Sequence, residues 1–218
     1  MKIISDIRIY KGVGHTEIKN KIMNLSAHRA AMKLREKQFS LGEYDNLYLC
    51  FSADIPAGSV VLDENGDKNF PWFRNALVGI SLDELSAIET AEEPAAVLNQ
   101  IENALLILFG GDLSVKKIIK DAIKDAKKGP EMLMRFKEKE TAKGKAVIYL
   151  RLLNNAHYLP LLCVTNADGE EILRKNLPET TDLGTIGEIR LNSKKVTVMP
   201  RKNAFTNNAR PISFEINL

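Results

Sequence analysis

The chain has 218 residues, of which 44% are hydrophobic and 27% charged, with a net charge of +3. That is enough apolar material for one large core or two small ones, and it excludes a disordered or low-complexity chain. The longest apolar run, Ala104 to Phe109, falls far short of the ~20 residues of a membrane helix, and Met1-Lys2-Ile3-Ile4-Ser5-Asp6 turns charged before a signal-peptide core develops, so a cytoplasmic protein with no membrane partner is expected.

Lys2 to Tyr10 is Ile-rich and loosely alternating, the pattern of a strand, and Gly12-Val13-Gly14 breaks it. From Glu17 to Gln38 the spacing of Ile18, Ile22, Leu25, Ala30 and Leu34 predicts one or two helices. Leu47 to Ala53 reads as a strand buried on both faces, with further strands at Gly58–Leu62 and Ala76–Ile80 and a turn at Glu64-Asn65-Gly66-Asp67. Ser81-Leu82-Asp83-Glu84 and Thr90-Ala91-Glu92-Glu93 each fit a capping box. The second would open a helix carrying Val97, Leu98, Ile101, Leu105 and Leu108, which ends at Gly110-Gly111. The cleanest helical stripe is Val115, Ile118, Ile119, Ala122, Ile123 and Ala126, stopped by Gly129-Pro130; a short basic helix is expected from Glu131 to about Lys139.

After Gly144 the period becomes two. Strands are expected at Ala146–Leu153, Leu159–Thr165, Glu171–Lys175, Ile186–Leu191, Lys194–Met199 and Ile212–Leu218. Asn154-Asn155, Asn166-Ala167-Asp168-Gly169 and Asn192-Ser193 supply turns. Segregated elements of this kind predict an α+β fold, with mixed or antiparallel sheets, a central group of helices and a β-rich C-terminal half. The regions are drawn as 1–140 and 141–218, and whether they form one continuous domain stays open.

The charge is unevenly spread. No Lys or Arg occurs between Arg74 and Lys116, a window holding Asp83, Glu84, Glu89, Glu92, Glu93, Glu102 and Asp112. From Lys116 to Arg151 there are twelve basic residues against five acidic ones. Helix starts account for Asp83, Glu84, Glu92 and Glu93 through the helix dipole, but not for the lack of any cation. An acidic surface is how a protein steers onto a basic, nucleic-acid-degrading enzyme. The basic stretch invites a nucleic-acid reading, but only Phe136 and Tyr149 offer stacking, and Asp121, Asp125, Glu138 and Glu140 punctuate the lysines. A solvated mixed-charge face is the preferred reading, and nucleic acid is not an expected partner.

Local catalytic signatures are missing. Gly110-Gly111-Asp112-Leu113-Ser114-Val115-Lys116 lacks P-loop spacing, and Gly184-Thr185-Ile186-Gly187 enters a strand and not a helix. His15, His28 and His157 lie far apart, no Gly-x-Ser-x-Gly elbow occurs, and Cys50 and Cys163 sit in apolar strands as buried reduced thiols. No cofactor, metal or catalytic residue is therefore assigned, and the chain is read as a non-enzyme. One dispersed set stays open: Asp6, then Glu17-Ile18-Lys19, in the order used by metal-dependent nucleases of restriction-endonuclease type. Trp72, in Phe70-Pro71-Trp72-Phe73, is either strand-entry packing or, if exposed beside Arg74, an interface anchor.

The segments Tyr44-Asp45-Asn46-Leu47-Tyr48-Leu49-Cys50-Phe51-Ser52-Ala53 and Trp72-Phe73-Arg74-Asn75-Ala76-Leu77-Val78-Gly79-Ile80-Ser81, followed by an acidic helix, resemble the immunity proteins of bacterial polymorphic toxin and contact-dependent inhibition systems. The resemblance spans about residues 44 to 109. It implies a small cytosolic α/β protein that binds one cognate toxin domain, often a nuclease, and blocks it. On that reading Asp83, Glu84, Glu89, Glu92, Glu93, Glu102 and Trp72 are the partner-binding candidates. The alternatives are the metal-dependent nuclease and a nucleic-acid-binding module.

Overall fold

The computed structural model describes every residue except 64, 65, 67 and 202–208. Three of the four residues of the expected turn at Glu64–Asp67 thus lie outside the described residues. The fold is α+β, in two compact units, Met1–Met132 and Leu133–Leu218, so the break comes ahead of the expected 140/141 boundary.

The first unit runs β1 (Lys2–Ile3), β2 (Asp6–Lys11), β3 (Thr16–Glu17), α1 (Lys21–Glu36), β4 (Ser40–Gly42), β5 (Asn46–Ser52), β6 (Val60–Leu62), β7 (Phe73–Gly79), α2 (Leu82–Thr90), α3 (Ala95–Phe109) and α4 (Leu113–Ala126). β1 and β4 form a small ribbon, and the main sheet has the order β3-β2-β5-β7-β6. Its three central strands, β2, β5 and β7, are parallel and the edges antiparallel. Parallel neighbours need a crossover, and α1 supplies the one from β2 to β5.

Alternate residues decide which face that helix covers. Ile7, Ile9, Leu47, Leu49, Phe51, Ala76 and Val78 project to one face and are at most 2% exposed. α1 packs there, and α3 and α4 pack on α1. Each such aliphatic or aromatic side chain contributes roughly 1.5–3 kcal/mol by burial. α1 is enclosed nearly all round, which its small residues Ser26, Ala27, Ala30 and Ala31 permit by letting neighbours approach closely. Its N-cap, Asn20, accepts from the backbone N–H of Ile22 and Met23 and donates to the carbonyls of Ile88 and Ala91, tying the start of α1 to the end of α2. Ile119, Ala122, Ile123 and Ala126 of α4 are fully buried, as the stripe predicts.

Enclosure buries two cations of α1, Arg29 and Lys33. Lys33 of α1, 7% exposed, places its Nζ 2.5 Å from Glu36 and 3.3 Å from Asp125 of α4. Burial pushes the Asp125 carboxyl up, but hydrogen bonds from Lys128 and Lys33 outweigh it and hold the group below its usual range.

The second unit is β8 (Met134–Thr141), β9 (Gly144–Leu152), β10 (Tyr158–Asn166), β11 (Glu171–Asn176), β12 (Ile189–Leu191), β13 (Lys195–Val198) and β14 (Ile212–Glu215). The first four make an antiparallel meander, β11-β10-β9-β8, and the last three a second antiparallel sheet. Its turns are built by asparagine side chains. Asn155 Oδ1 accepts from the N–H of His157, Asn166 Oδ1 from those of Asp168 and Glu170, and Asn192 Oδ1 from those of Lys194 and Lys195.

Of the one or two helices expected over Glu17–Gln38 there is one, because nothing interrupts the pattern after the Asn20 cap. Three other expectations about elements are corrected. Thr90 does not open a helix: it closes α2 with its hydroxyl on the Ser86 carbonyl, and α3 begins after Pro94 without a side-chain cap. Residues 134–139 are strand and not helix, since β9 pairs with Met134, Arg135, Lys137, Glu138 and Lys139, with Phe136 left in an irregularity of the register. β5 is not buried on both faces throughout, because Tyr48 is half-exposed. Among the described residues, no helix is long and apolar enough to cross a membrane.

Removing both carboxylates, Glu36→Ala with Asp125→Ala, takes the two counter-charges from the buried Lys33 ammonium and is expected to cost about 3–5 kcal/mol in chemical denaturation. Adding Lys33→Met to that pair restores most of the loss, because the buried charge is then gone.

Candidate functional site

The sheet face opposite α1 is built from the other set of alternating residues. Strand register lines up Arg8, Tyr48 and Asn75 in one row and Tyr10, Cys50, Leu77 and Val61 in the next, with Phe73 one step before Asn75. These rows carry a continuous run of rings. Tyr10 lies 5.6 Å from Tyr48, Tyr48 stacks on Phe73 at 4.5 Å, Phe73 lies 6.3 Å from Phe70, and Phe70 meets Trp72 edge-on at 5.2 Å. The Arg8 guanidinium sits 5.4 Å over the Tyr48 ring. Phe70 and Trp72 are 45% and 43% exposed, so this is an apolar aromatic surface that the fold leaves in contact with water.

The loop after β2 adds a flap. Gly12 and His15 adopt positive φ (65° and 52°), which swings the chain back over the sheet. His15 then meets the edge of Tyr10 at 5.5 Å, and its Nε2 lies 2.9 Å from Asn75 Oδ1 on β7. Beneath it is a cavity of about 270 Å³ lined by Val13, His15, Cys50, Val61, Asn75 and Leu77. Burial pushes the Cys50 thiol up to about 11, so at neutral pH it is a protonated wall group and not a nucleophile. Burial likewise raises the Tyr48 phenol, only partly offset by Arg8, so the hydroxyl stays neutral and is available to donate.

A second, open groove of about 650 Å³ lies at the carboxyl ends of β2 and β5, lined in part by Lys11, Glu17, Lys19, Asp54, Leu82 and Glu89. Lys11 Nζ donates to both Glu89 carboxylate oxygens at 3.0 and 3.1 Å, so these two charges cancel. The groove brings Glu17 and Lys19 together but not Asp6. Glu17 pairs with Tyr10 at the far end of β2, and the Asp6 carboxylate is committed to His28 Nδ1 at 2.9 Å and Arg8 Nε at 3.2 Å. The dispersed acid-and-lysine set is therefore not assembled. No group of three or more His, Cys, Asp or Glu side chains suited to a metal gathers among the described residues.

The acidic candidates fall into separate places. Asp83 and Glu84 open α2, and Glu84 spends its carboxylate on the Ser81 N–H and hydroxyl and on Gln100. Those hydrogen bonds hold Glu84 below the usual carboxylate range. Glu89 is paired with Lys11, Glu92 and Glu93 lie exposed in the α2–α3 link, and Glu102 is half-exposed on α3. The link follows the last residue of α2, so it lies about 12 Å along that helix from Asp83 and Glu84. Trp72 sits in the aromatic run. Arg8, Tyr10, His15, Tyr48, Phe73 and Asn75 join it there, a group the sequence reading passed over. Their signal was the period-two register opposite Ile7, Ile9, Leu47 and Leu49. No family model, curated protein or solved structure matches this chain.

In a Cys163→Ser background, Cys50 is expected to alkylate with iodoacetamide at pH 7.5 at least a hundredfold more slowly than a free cysteine, read by mass spectrometry. Asp6 gives an acid-limb prediction. Burial pushes its carboxyl up, but the His28 and Arg8 contacts prevail and its folded pKa lies below the usual value. A lowered folded value stabilises above the unfolded pKa, about 4, and that stability is lost as pH falls through the folded value. Asp6→Asn should therefore lower stability at pH 6 and flatten its decline below about pH 4, measured by urea titration across pH.

Proposed function

We propose that this chain is a binding protein of the immunity type, which seats a cognate protein toxin domain, a nuclease by class, on the aromatic face of its first unit and blocks it stoichiometrically without chemistry of its own. The observation that carries this reading is the run from Tyr10 through Tyr48, Phe73 and Phe70 to Trp72, with Arg8 over it. Tyr, Trp, Phe and Arg are the residue types that supply most binding energy at protein interfaces. The charge on the ring run favours a protein over a nucleic acid, because Arg8, which lies over Tyr48, is already paired with Asp6. The resemblance to immunity proteins supports the same reading, because its segment contains Tyr48, Phe70, Trp72 and Phe73.

The acidic residues take a second role on this proposal. Asp83, Glu92, Glu93 and Glu102 show neither the ion pair that neutralises Glu89 nor the hydrogen bonds that engage Glu84, so they suit long-range steering of a basic partner, while the rings supply affinity. Co-expression with the toxin domain encoded beside this gene tests the proposal. The intact chain should rescue growth and co-purify at one-to-one stoichiometry. Tyr48→Ala or Trp72→Ala should weaken binding by about 2–4 kcal/mol, roughly 30- to 1000-fold. Glu92→Lys with Glu93→Lys should slow association and leave dissociation unchanged. A neighbour that is not toxic, or rescue that survives both ring substitutions, would sink it.

A further inference from the structure

The exposed side of α4 is a lysine stripe. Lys116, Lys117, Lys120, Lys124, Lys127 and Lys128 are all exposed, and Lys127 and Lys128 continue in helical dihedrals past Ala126. At 100° per residue the six fall within an arc of about 120°. No acid lies inside that arc. Asp121 flanks it, Asp125 is turned toward Lys33 and Lys128, and Asp112 is spent capping Ser114. Lys116, Lys120, Lys124 and Lys128 repeat at i,i+4, one helical turn apart, so their ammonium groups rise about 6 Å per step along the axis.

That arrangement works against the helix that carries it. Like charges at i,i+4 repel, and Lys116 and Lys117 stand toward the positive end of the helix dipole. Twelve basic residues between Lys116 and Arg151 looked like one mixed-charge window, but the fold divides them: six stay on α4 and the rest fall in the second unit. Of the acids that seemed to dilute the lysines, Asp125 pairs with Lys128 at the end of the stripe, and Lys116, Lys117, Lys120, Lys124 and Lys127 carry no ion pair among the described residues.

We infer that this stripe binds the phosphodiester backbone of a nucleic acid. A rod of regularly spaced anions is the partner that complements an 18 Å row of cations and relieves its self-repulsion. A lipid surface fits less well. A helix that lies in a bilayer interface needs a free apolar face, and that of α4 is consumed: Ile119, Ala122, Ile123 and Ala126 are fully buried inside the unit. The contacts available are charge to phosphate, without base edges or stacked rings, so the binding is sequence-independent.

The test uses the full chain with a fluorescein-labelled 24-base-pair DNA duplex, an RNA duplex of the same sequence, and vesicles containing phosphatidylserine. Anisotropy should show binding of both duplexes at 50 mM salt, and a plot of log affinity against log salt should fall with a slope of about −4, a loss of some hundredfold or more by 200 mM. Lys120→Gln with Lys124→Gln should reduce the slope by about two and weaken binding at 50 mM salt at least tenfold, with an unchanged circular dichroism spectrum. Tyr48→Ala should leave duplex binding intact, which separates this site from the aromatic face. Duplex affinity that is undetectable at 50 mM salt, insensitive to the two glutamines, or exceeded by affinity for the vesicles would overturn the inference.

Discussion

Everything in the first unit follows from the enclosure of α1. A 16-residue helix with Met23, Ala27, Ala30, Ala31 and Leu34 buried cannot be a surface helix, so a sheet must cover one side of it and other helices the rest. Small residues at 26, 27, 30 and 31 set the close approach. That enclosure buries Arg29 and Lys33, and the Lys33 ammonium must find carboxylates where the helix is walled in. It finds Glu36 on its own helix and Asp125 on α4, and the second contact fixes α4 on α1. The polar tie and the fully buried stripe of α4 act on the same helix face, so packing and charge specify one position.

Stacking the helical layers on one side of the sheet leaves its other side to side chains alone. The chain fills that side with rings. Tyr48 against Phe73 and Phe70 against Trp72 gain about 0.5–1.5 kcal/mol per pair beyond area burial. They still leave apolar surface in water at a cost of roughly 25 cal/mol per Å². A fold that needed only solubility would place Thr, Lys or Glu at positions 48, 70 and 72. The flap through Gly12 and His15 points the same way, since two residues with positive φ are spent on bringing one imidazole to Asn75 and Tyr10.

How much of this was legible in the sequence depends on the range of the interactions involved. The α4 stripe, the Ser81 capping box and the asparagine turns are local, with cause and effect within four residues, and they read correctly. β8 did not, because its charged residues carry no intrinsic strand preference and its pairing with β9 overrides what the local composition suggests. The aromatic face is harder still. Tyr10, Tyr48 and Phe73 are separated by about 25 to 40 residues, and only the parallel register of β2, β5 and β7 makes them neighbours. The acidic window failed in the opposite sense. It is contiguous in sequence, yet capping takes Glu84, Lys11 takes Glu89, and the length of α2 separates what remains.

The layering also sets the relation between the two surfaces of the first unit. The rings lie on the side of the sheet away from α1, and the lysines lie on the exposed side of α4, with Lys128 reaching the Asp125 that also meets Lys33 of α1. Between them stand the sheet, α1 and α4, at about 8–10 Å per layer, so roughly 20 Å separates the surfaces. At physiological salt the screening length is about 8 Å, so a polyanion on α4 changes the potential at Tyr48 and Trp72 very little. Coupling would have to pass through the packed core, where the Lys33–Asp125 ion pair ties α1 to α4. On the two proposals, a partner on the rings and a nucleic acid on the lysines use separate surfaces of the first unit, and screening keeps the charge of the second from reaching the first.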